Sequence, residues 1–206
     1  MPFWPFDFVA PRLPANVRYV GPQLDDPDWA AADWHSQGRD PLVLVATSSI
    51  FQHQVGLLQR IARALGQLPV RGLMTTGPAV DPDEIEAPPN VDIVQAAPHS
   101  RILPEASVVI THAGHGTMIK ALAAGVPLVC IPMGRDQKGN TVRALQHGAG
   151  VRLSAKSTPD KIAAAVADLL DDPHYAAAAR HFAHILAHEA ATTPNAADEA
   201  EAMARS

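Results

Sequence analysis

Cysteine is almost missing from this chain: Cys130 is the only one among 206 residues. One thiol cannot close an intramolecular disulfide or supply a multi-cysteine zinc site, and its scarcity fits a reducing, cytoplasmic setting. Positive charge is also short. Sixteen Lys and Arg stand against 21 Asp and Glu, a formal net charge of −5, so the basic face with which a nucleic-acid binder meets phosphates is not there. The most apolar stretch, residues 121–133, is interrupted by Gly125, Pro127 and Pro132 and is too short to span a bilayer. The opening MPFWPFDFVAPRLP has neither the basic start nor the unbroken apolar run of a secretion signal. Charged residues reach only 18% against 47% hydrophobic, which excludes a chain disordered throughout. A soluble globular protein of one domain is expected.

What is present divides unevenly. Residues 1–40 are dense in Pro, Asp and Trp with no sustained period, and read as extended, linker-like chain. All three tryptophans (Trp4, Trp29, Trp34) fall there, so the segment should pack on some surface. From Pro41 a regular alternation begins. PLVLVATSS (41–49) is a short, nearly all-apolar run, as in a strand covered on both faces, and residues 52–65 follow with apolar positions at helical spacing. Strands are predicted again at 70–76, 91–96, 107–113, 127–133 and 150–153. Between and after them come a short helical turn, helices near 116–124 and 140–147, and two Ala-rich helices. Strand–helix alternation with continuous apolar strands predicts an α/β domain, a Rossmann-like doubly wound parallel sheet, over 41–190. Residues 191–206 read as a polar tail, with Thr192, Thr193 and Pro194 breaking the helix.

In such a sheet ligands bind beyond the carboxyl ends of the strands, near helix amino termini. Three polar clusters follow apolar runs. The first is THAGHGT (111–117), where Gly114 and Gly116 let the backbone turn sharply and approach a ligand closely. The helix after it directs free N–H groups and its positive dipole end toward the turn. His112 and Thr117 add an imidazole and a hydroxyl, and together these suit a diphosphate. A tight strand-to-helix turn capped by Thr is the alternative, and the spacing matches neither a Walker loop nor a full G-x-G-x-x-G. The second is GRDQ (134–137), whose carboxylate and carboxamide suit sugar hydroxyls or serve as plain turn residues. The third is Thr47, Ser48 and Ser49, hydroxyls that reach the same anion or simply make a turn.

With these residues in view, the stretch APHSRILPEASVVITHAGHGTMIKALAAGVPLVCIPMGRDQKGNTVRALQHGAG (97–150) resembles the donor-sugar signature of nucleotide-sugar-dependent glycosyltransferases. These include the macrolide, glycopeptide and plant secondary-metabolite enzymes. The resemblance runs from ANVRYVGP (15–22) to about residue 190. It implies the C-terminal domain of the GT-B fold, in which two Rossmann-like domains face a cleft and this one binds a UDP- or dTDP-linked sugar. By position, Ser49, His112, Gly114, Gly116 and Thr117 correspond to the diphosphate cradle, Asp136 and Gln137 to the pair that holds donor-sugar hydroxyls, and Pro98 and His99 to the loop beside the nucleobase. Residues 1–40 then correspond to an interdomain linker.

Departures from the pattern matter as much. Ala96 stands where many members carry the aromatic ring that stacks on uracil. Lys120 replaces a Glu that often binds the ribose hydroxyls, and a cation cannot accept those bonds. The acceptor-binding N-terminal domain is missing from the sequence, and with it the histidine base; His35 matches no such motif, so no catalytic residue is assigned.

The resemblance implies hexosyl transfer from a nucleoside-diphosphate sugar to an acceptor hydroxyl, with the sugar nucleotide as substrate and no cofactor or metal. This chain would supply the donor-binding half, completed by a separate acceptor-binding domain or by the other subunit of a split enzyme. A non-catalytic nucleotide-binding module is a further reading, and a sugar-nucleotide epimerase shares the architecture but lacks this motif order. His181, His184 and His188 lie at helical spacing without an H-E-x-x-H pattern and read as a solvated face. Cys130, inside an apolar strand, reads as core.

Overall fold

The computed structural model describes residues 38–47, 53–193 and 196–205, with Pro14, Val17, Val20, Leu24 and Asp26 from the segment ahead of them. Six strands, β1 (Leu42–Ala46), β2 (Arg71–Thr75), β3 (Val91–Val94), β4 (Ala106–Thr111), β5 (Leu128–Cys130) and β6 (Gly150–Arg152), form one sheet in the order β3-β2-β1-β4-β5-β6. Every neighbouring pair is parallel. The helices are α1 (Val55–Leu65), α2 (His99–Ile102), α3 (His115–Ala123), α4 (Gln137–Gln146), α5 (Pro159–Asp171), α6 (Pro173–Thr192) and α7 (Ala196–Ala204).

The apolar runs become strands because both faces of the sheet are covered. Side chains alternate across a strand, so Leu42, Leu44 and Ala46 join Leu73, Val109 and Phe182 on one face. Val43 and Val45 join Leu58, Ile61, Met74 and Ile162 on the other. Helices α3 and α6 pack together on the first face, α1 and α5 on the second. Among the described residues Phe182 is the largest fully buried side chain, and its truncation to alanine would cost about 3–5 kcal/mol. The later helices start where local chemistry dictates. Thr158 accepts from the Lys161 N–H ahead of Pro159, and Asp172 accepts from the His174 N–H ahead of Pro173, leaving proline where its missing donor is not needed.

Two local differences from the sequence reading have simple causes. β5 stops at Cys130, not at residue 133: Ile131 N–H still reaches the Thr111 carbonyl (2.8 Å), but Pro132 has no N–H to continue the ladder. The polar tail at 191–206 carries more helix than its sequence suggested. α6 runs through Thr192 and α7 follows, rich in Ala and Glu that favour helix, although none of its residues is buried. No helix among the described residues is long and apolar enough to cross a membrane.

Strand order matters most for what comes next. After β1 the chain builds outward through β2 and β3, then returns to place β4 on the other side of β1. The connections after β1 and β4 therefore leave in opposite directions and open a crevice between their carboxyl ends.

Candidate functional site

The turn from β4 to α3 is built against steric preference. Thr111 Oγ1 accepts from the Ala113 N–H (3.2 Å), and Ala113 sits at φ 64°, a region that a residue with a Cβ seldom adopts. Asn140 Nδ2, on α4, donates to the Ala113 carbonyl (3.1 Å) and holds the bend from outside. At 114 a Cβ would run into the His112 imidazole at Nε2, so any larger residue there must displace that ring. At 116 a Cβ would meet nothing within 4 Å. Met118 N–H makes the first helical bond, to the Gly114 carbonyl (3.1 Å). The amides of Gly116 and Thr117 precede it and have no helical carbonyl to bond.

These amides open onto a cavity of about 330 Å³ over the crevice. Thr47 at the end of β1, together with His112, Gly114, Gly116 and Thr117, lines one end. Thr47 Oγ1 and His112 Nδ1 are both buried and both without a hydrogen-bond partner. Leaving a buried polar group unpaired costs about 1–3 kcal/mol, so such atoms mark where a ligand's polar groups belong. Burial pushes the His112 imidazole below the ordinary value of 6.5, against smaller upward pulls from the Ala46 backbone and the Asp136 carboxylate. The Ala46 backbone lies near enough to act on the ring's charge without completing a bond to Nδ1. At neutral pH the ring is neutral, with one N–H to donate and one lone pair to accept.

The other end is lined by Thr75, Ala96, His99, Lys120 and Asp26. Thr75 donates its hydroxyl to the Val45 carbonyl (3.2 Å), so its oxygen accepts from His99 Nε2 (3.1 Å), which puts the ring proton on Nε2. Burial lowers the pKa of His99 as well, with Asp26 pulling upward and Lys120 downward. Lys120 Nζ donates to Asp26 Oδ1 at 2.8 Å, in a pair whose side chains are each only 14% exposed, and the Ser100 N–H donates to Oδ2 at 2.9 Å. Burial alone would raise the Asp26 pKa, but the bonds from Lys120 and Ser100 outweigh it and hold the carboxyl below its usual value.

The turn after β5 is arranged differently. Gln137 is buried, and its Oε1 accepts from the N–H groups of Met133 (2.7 Å) and Gly134 (2.9 Å). Asp136 is exposed, and its Oδ2 accepts from Asn140 Nδ2 (2.7 Å). Neither residue lines the cavity.

Of the residues singled out in the sequence, the structure thus brings His112, Gly114, Gly116, Thr117 and His99 to one cavity. Pro98 is buried at the start of α2 and outside the lining. Ser49, and the tryptophans and His35 of the leading segment, lie outside the described residues. Cys130 is fully buried and its thiol is pushed up to about 12, by burial first and despite a bond with Thr141. His181, His184 and His188 are exposed, and among the described residues no group of three or more His, Cys, Asp or Glu is placed to hold a metal ion. Asp26 and Thr75 were missed. Thr75 was findable as the last residue of a strand beside β1, whereas Asp26 lies in a stretch without any period.

Comparison with known proteins extends this picture. The family described as "Erythromycin biosynthesis protein CIII-like, C-terminal domain" is matched over residues 62–204. The 4'-demethylrebeccamycin synthase of Lentzea aerocolonigenes is 31% identical, over 82% of this chain and 41% of its own length. The calicheamicin glycosyltransferase CalG4 is 29% identical with a TM-score of 0.77, covering 89% of this chain and 46% of that one. The Streptomyces sp. SF2575 glycosyltransferase SsfS6, complexed with thymidine diphosphate, is 27% identical with a TM-score of 0.63, covering 89% and 45%. The chain spans less than half the length of each of these relatives.

Proposed function

Since the chain belongs to the family of EryCIII-like C-terminal domains, we propose that its cavity holds the nucleoside diphosphate of a sugar donor and that the chain is the donor-binding half of a hexosyl-transferring glycosyltransferase. The observation that carries this reading is the conjunction at one end of the cavity. The unpartnered Thr47 Oγ1 and His112 Nδ1 stand beside the open amides of Gly116 and Thr117 at the positive end of α3. A diphosphate supplies acceptor oxygens for all four. The thymidine diphosphate carried by SsfS6 is of the same chemical class.

The chemistry asked of this half is limited. As an acceptor oxygen attacks the anomeric carbon, the bond to the diphosphate breaks and negative charge grows on the leaving oxygen. Fixed amides and an imidazole N–H aimed there stabilise that charge without reorganising. The nucleotide sugar is substrate, and with the diphosphate charge met in this way the reading assigns no cofactor. Its sugar extends toward the β5–α4 turn, where Asp136 presents a carboxylate to hydroxyl donors and Gln137 fixes the backbone from beneath. Nucleoside and base extend the other way, toward Ala96 and His99. Deprotonating the acceptor needs a placed base, which we assign, with the acceptor surface, to a separate domain or subunit.

A thermal-shift panel of UDP, dTDP, GDP and their sugars tests the reading. A ligand at about 100 times its Kd raises stability by about 2.7 kcal/mol, so at least one nucleotide should raise the melting temperature in proportion to the logarithm of its concentration. No stabilisation by any member would overturn the proposal. Stabilisation by nucleotides with no added effect of the sugar moiety would favour a plain nucleotide-binding module.

A further inference from the structure

Asp26 lines the cavity, yet its carboxylate is engaged within the protein. Lys120 Nζ donates to Oδ1 at 2.8 Å, the Ser100 N–H donates to Oδ2 at 2.9 Å, and the Ser100 hydroxyl is a further donor. We propose that Asp26 is a positioning residue, which clamps α2 to α3 and so holds the nucleoside end of the cavity in its binding shape. The inference rests on the donor reading above and adds a residue that serves it through its neighbours.

α2 needs such help. It is one turn of four residues, and Pro98 at its N-cap supplies no side-chain bond. A single turn fixes several dihedrals for one backbone bond, so it does not hold itself. Its first amides have no helical carbonyl to bond. Asp26 Oδ2, from 74 positions earlier in the chain, accepts from one of them, the Ser100 N–H. It thereby acts as the missing cap and sets a negative charge at the positive end of the turn. His99 begins this turn, and its Nε2 bonds Thr75 at the end of β2.

α3 supplies the other anchor. Lys120 lies one turn beyond Gly116 on the same face. Its ammonium meets Oδ1 where both side chains are mostly buried and water screens a pair little. An unpaired ammonium there would compete with the first turn of α3 for the diphosphate. Asp26 and Lys120 act on the charge of the His99 ring in opposite senses, which sets the pair close to that ring. One carboxylate thus ties the helix that carries His99 to the helix whose first turn lines the diphosphate end. A surface tether could be lost without changing the cavity, whereas a clamp could not.

Calorimetric titration of the full chain with UDP and with inorganic pyrophosphate separates a clamp from general support. UDP reaches both ends of the cavity, and pyrophosphate only the diphosphate end. In Asp26→Ala, UDP should bind about tenfold more weakly, because losing bonds to a charged group makes the binding-competent arrangement about tenfold rarer. Pyrophosphate should bind no more weakly than to the wild-type chain. The imidazole signals of His99 should shift in the free variant as its turn is released. Asp26→Asn keeps an acceptor for Ser100 but loses the charge that holds Lys120. Its UDP affinity should fall by a smaller factor, and it serves if the alanine variant is unstable. UDP affinity that is unchanged in both variants, or raised because Lys120 is set free, would overturn the clamp while leaving the donor reading in place. Equal losses for UDP and pyrophosphate would do the same, since Asp26 would then support the fold at large. A wild-type chain that binds neither ligand would overturn the donor reading and this inference with it.

Discussion

The turn after β4 leaves Thr47 Oγ1 and His112 Nδ1 without partners and faces open space at Gly116. The turn after β5, one strand away, closes its polar atoms on itself: Gln137 satisfies the Met133 and Gly134 amides, and Asp136 takes Asn140. Both turns join a parallel strand to a helix at the same edge of the sheet, and both drew attention as polar clusters after apolar runs. Their difference teaches what polarity at such a turn means. Backbone donors paired within their own turn, as Gln137 pairs these, are scaffold, and buried polar atoms left unpaired are built for something else to pair them. The exposed Asp136 carboxylate keeps acceptor capacity beyond its bond to Asn140. Asn140 joins the two, reaching from α4 to the Ala113 carbonyl, so the closed turn braces the strained bend of the open one.

Substitutions in each turn should separate these roles. The largest effect is expected from Gln137→Met, which strands two backbone amides and should lower folding stability by about 2–4 kcal/mol. Its urea midpoint should fall accordingly, and an unchanged midpoint would erase the contrast between the turns. Gly114→Ala should do the reverse. Its Cβ displaces the imidazole, so UDP binding should weaken by about 2 kcal/mol, the worth of a hydrogen bond to a charged group. Replacing the N-cap glycine should cost folding no more than about 1 kcal/mol. Equal losses of stability and affinity would show that the bend is merely structural. His112→Ala should weaken UDP binding about tenfold while removing a buried nitrogen that has no partner in the free protein. Undiminished affinity would exclude the imidazole from the diphosphate site.

The smallest effect concerns pH. Burial lowers the pKa of His112 and His99 below 6.5, so as pH falls through that value the unfolded chain takes up protons that the folded chain refuses. Stability is complete at neutral pH and declines on acidification below about 6.5. A bound diphosphate favours the imidazolium and offsets part of the decline. Melting temperatures at about pH 7.5 and about pH 5.5, with and without UDP, should show a larger UDP-dependent increment at the lower value. A free chain that gains stability on acidification would contradict the account.

The sheet was legible because a strand buried on both faces must be apolar throughout, and residues 42–46 and 107–111 are nearly so. The bend at 111–117 was legible only in part: its glycines read as making the sharp turn and approaching a ligand, whereas Ala113 takes the positive φ and the close neighbour of Gly114 is the His112 ring. Gln137 shows the limit of such reading. A carboxamide beside a carboxylate looks alike whether it faces a sugar or its own backbone, and only the fold decides. Asp26 shows another limit, since nothing in a Pro/Asp-rich segment states that one carboxylate travels 94 positions to meet Lys120. The tail misled for a different reason: α6 runs through Thr192 and is capped at Thr193, near the expected break, but the Ala and Glu of 196–204 suffice to form α7 without burying any residue.

The central claim is that the first turn of α3 captures a diphosphate, and amide chemical shifts report on it directly. Titration of labelled protein with UDP should move the amide signals of Gly116 and Thr117 and the imidazole signals of His112 together, with one common saturation curve. Saturable UDP binding that leaves those three residues unshifted would contradict the account.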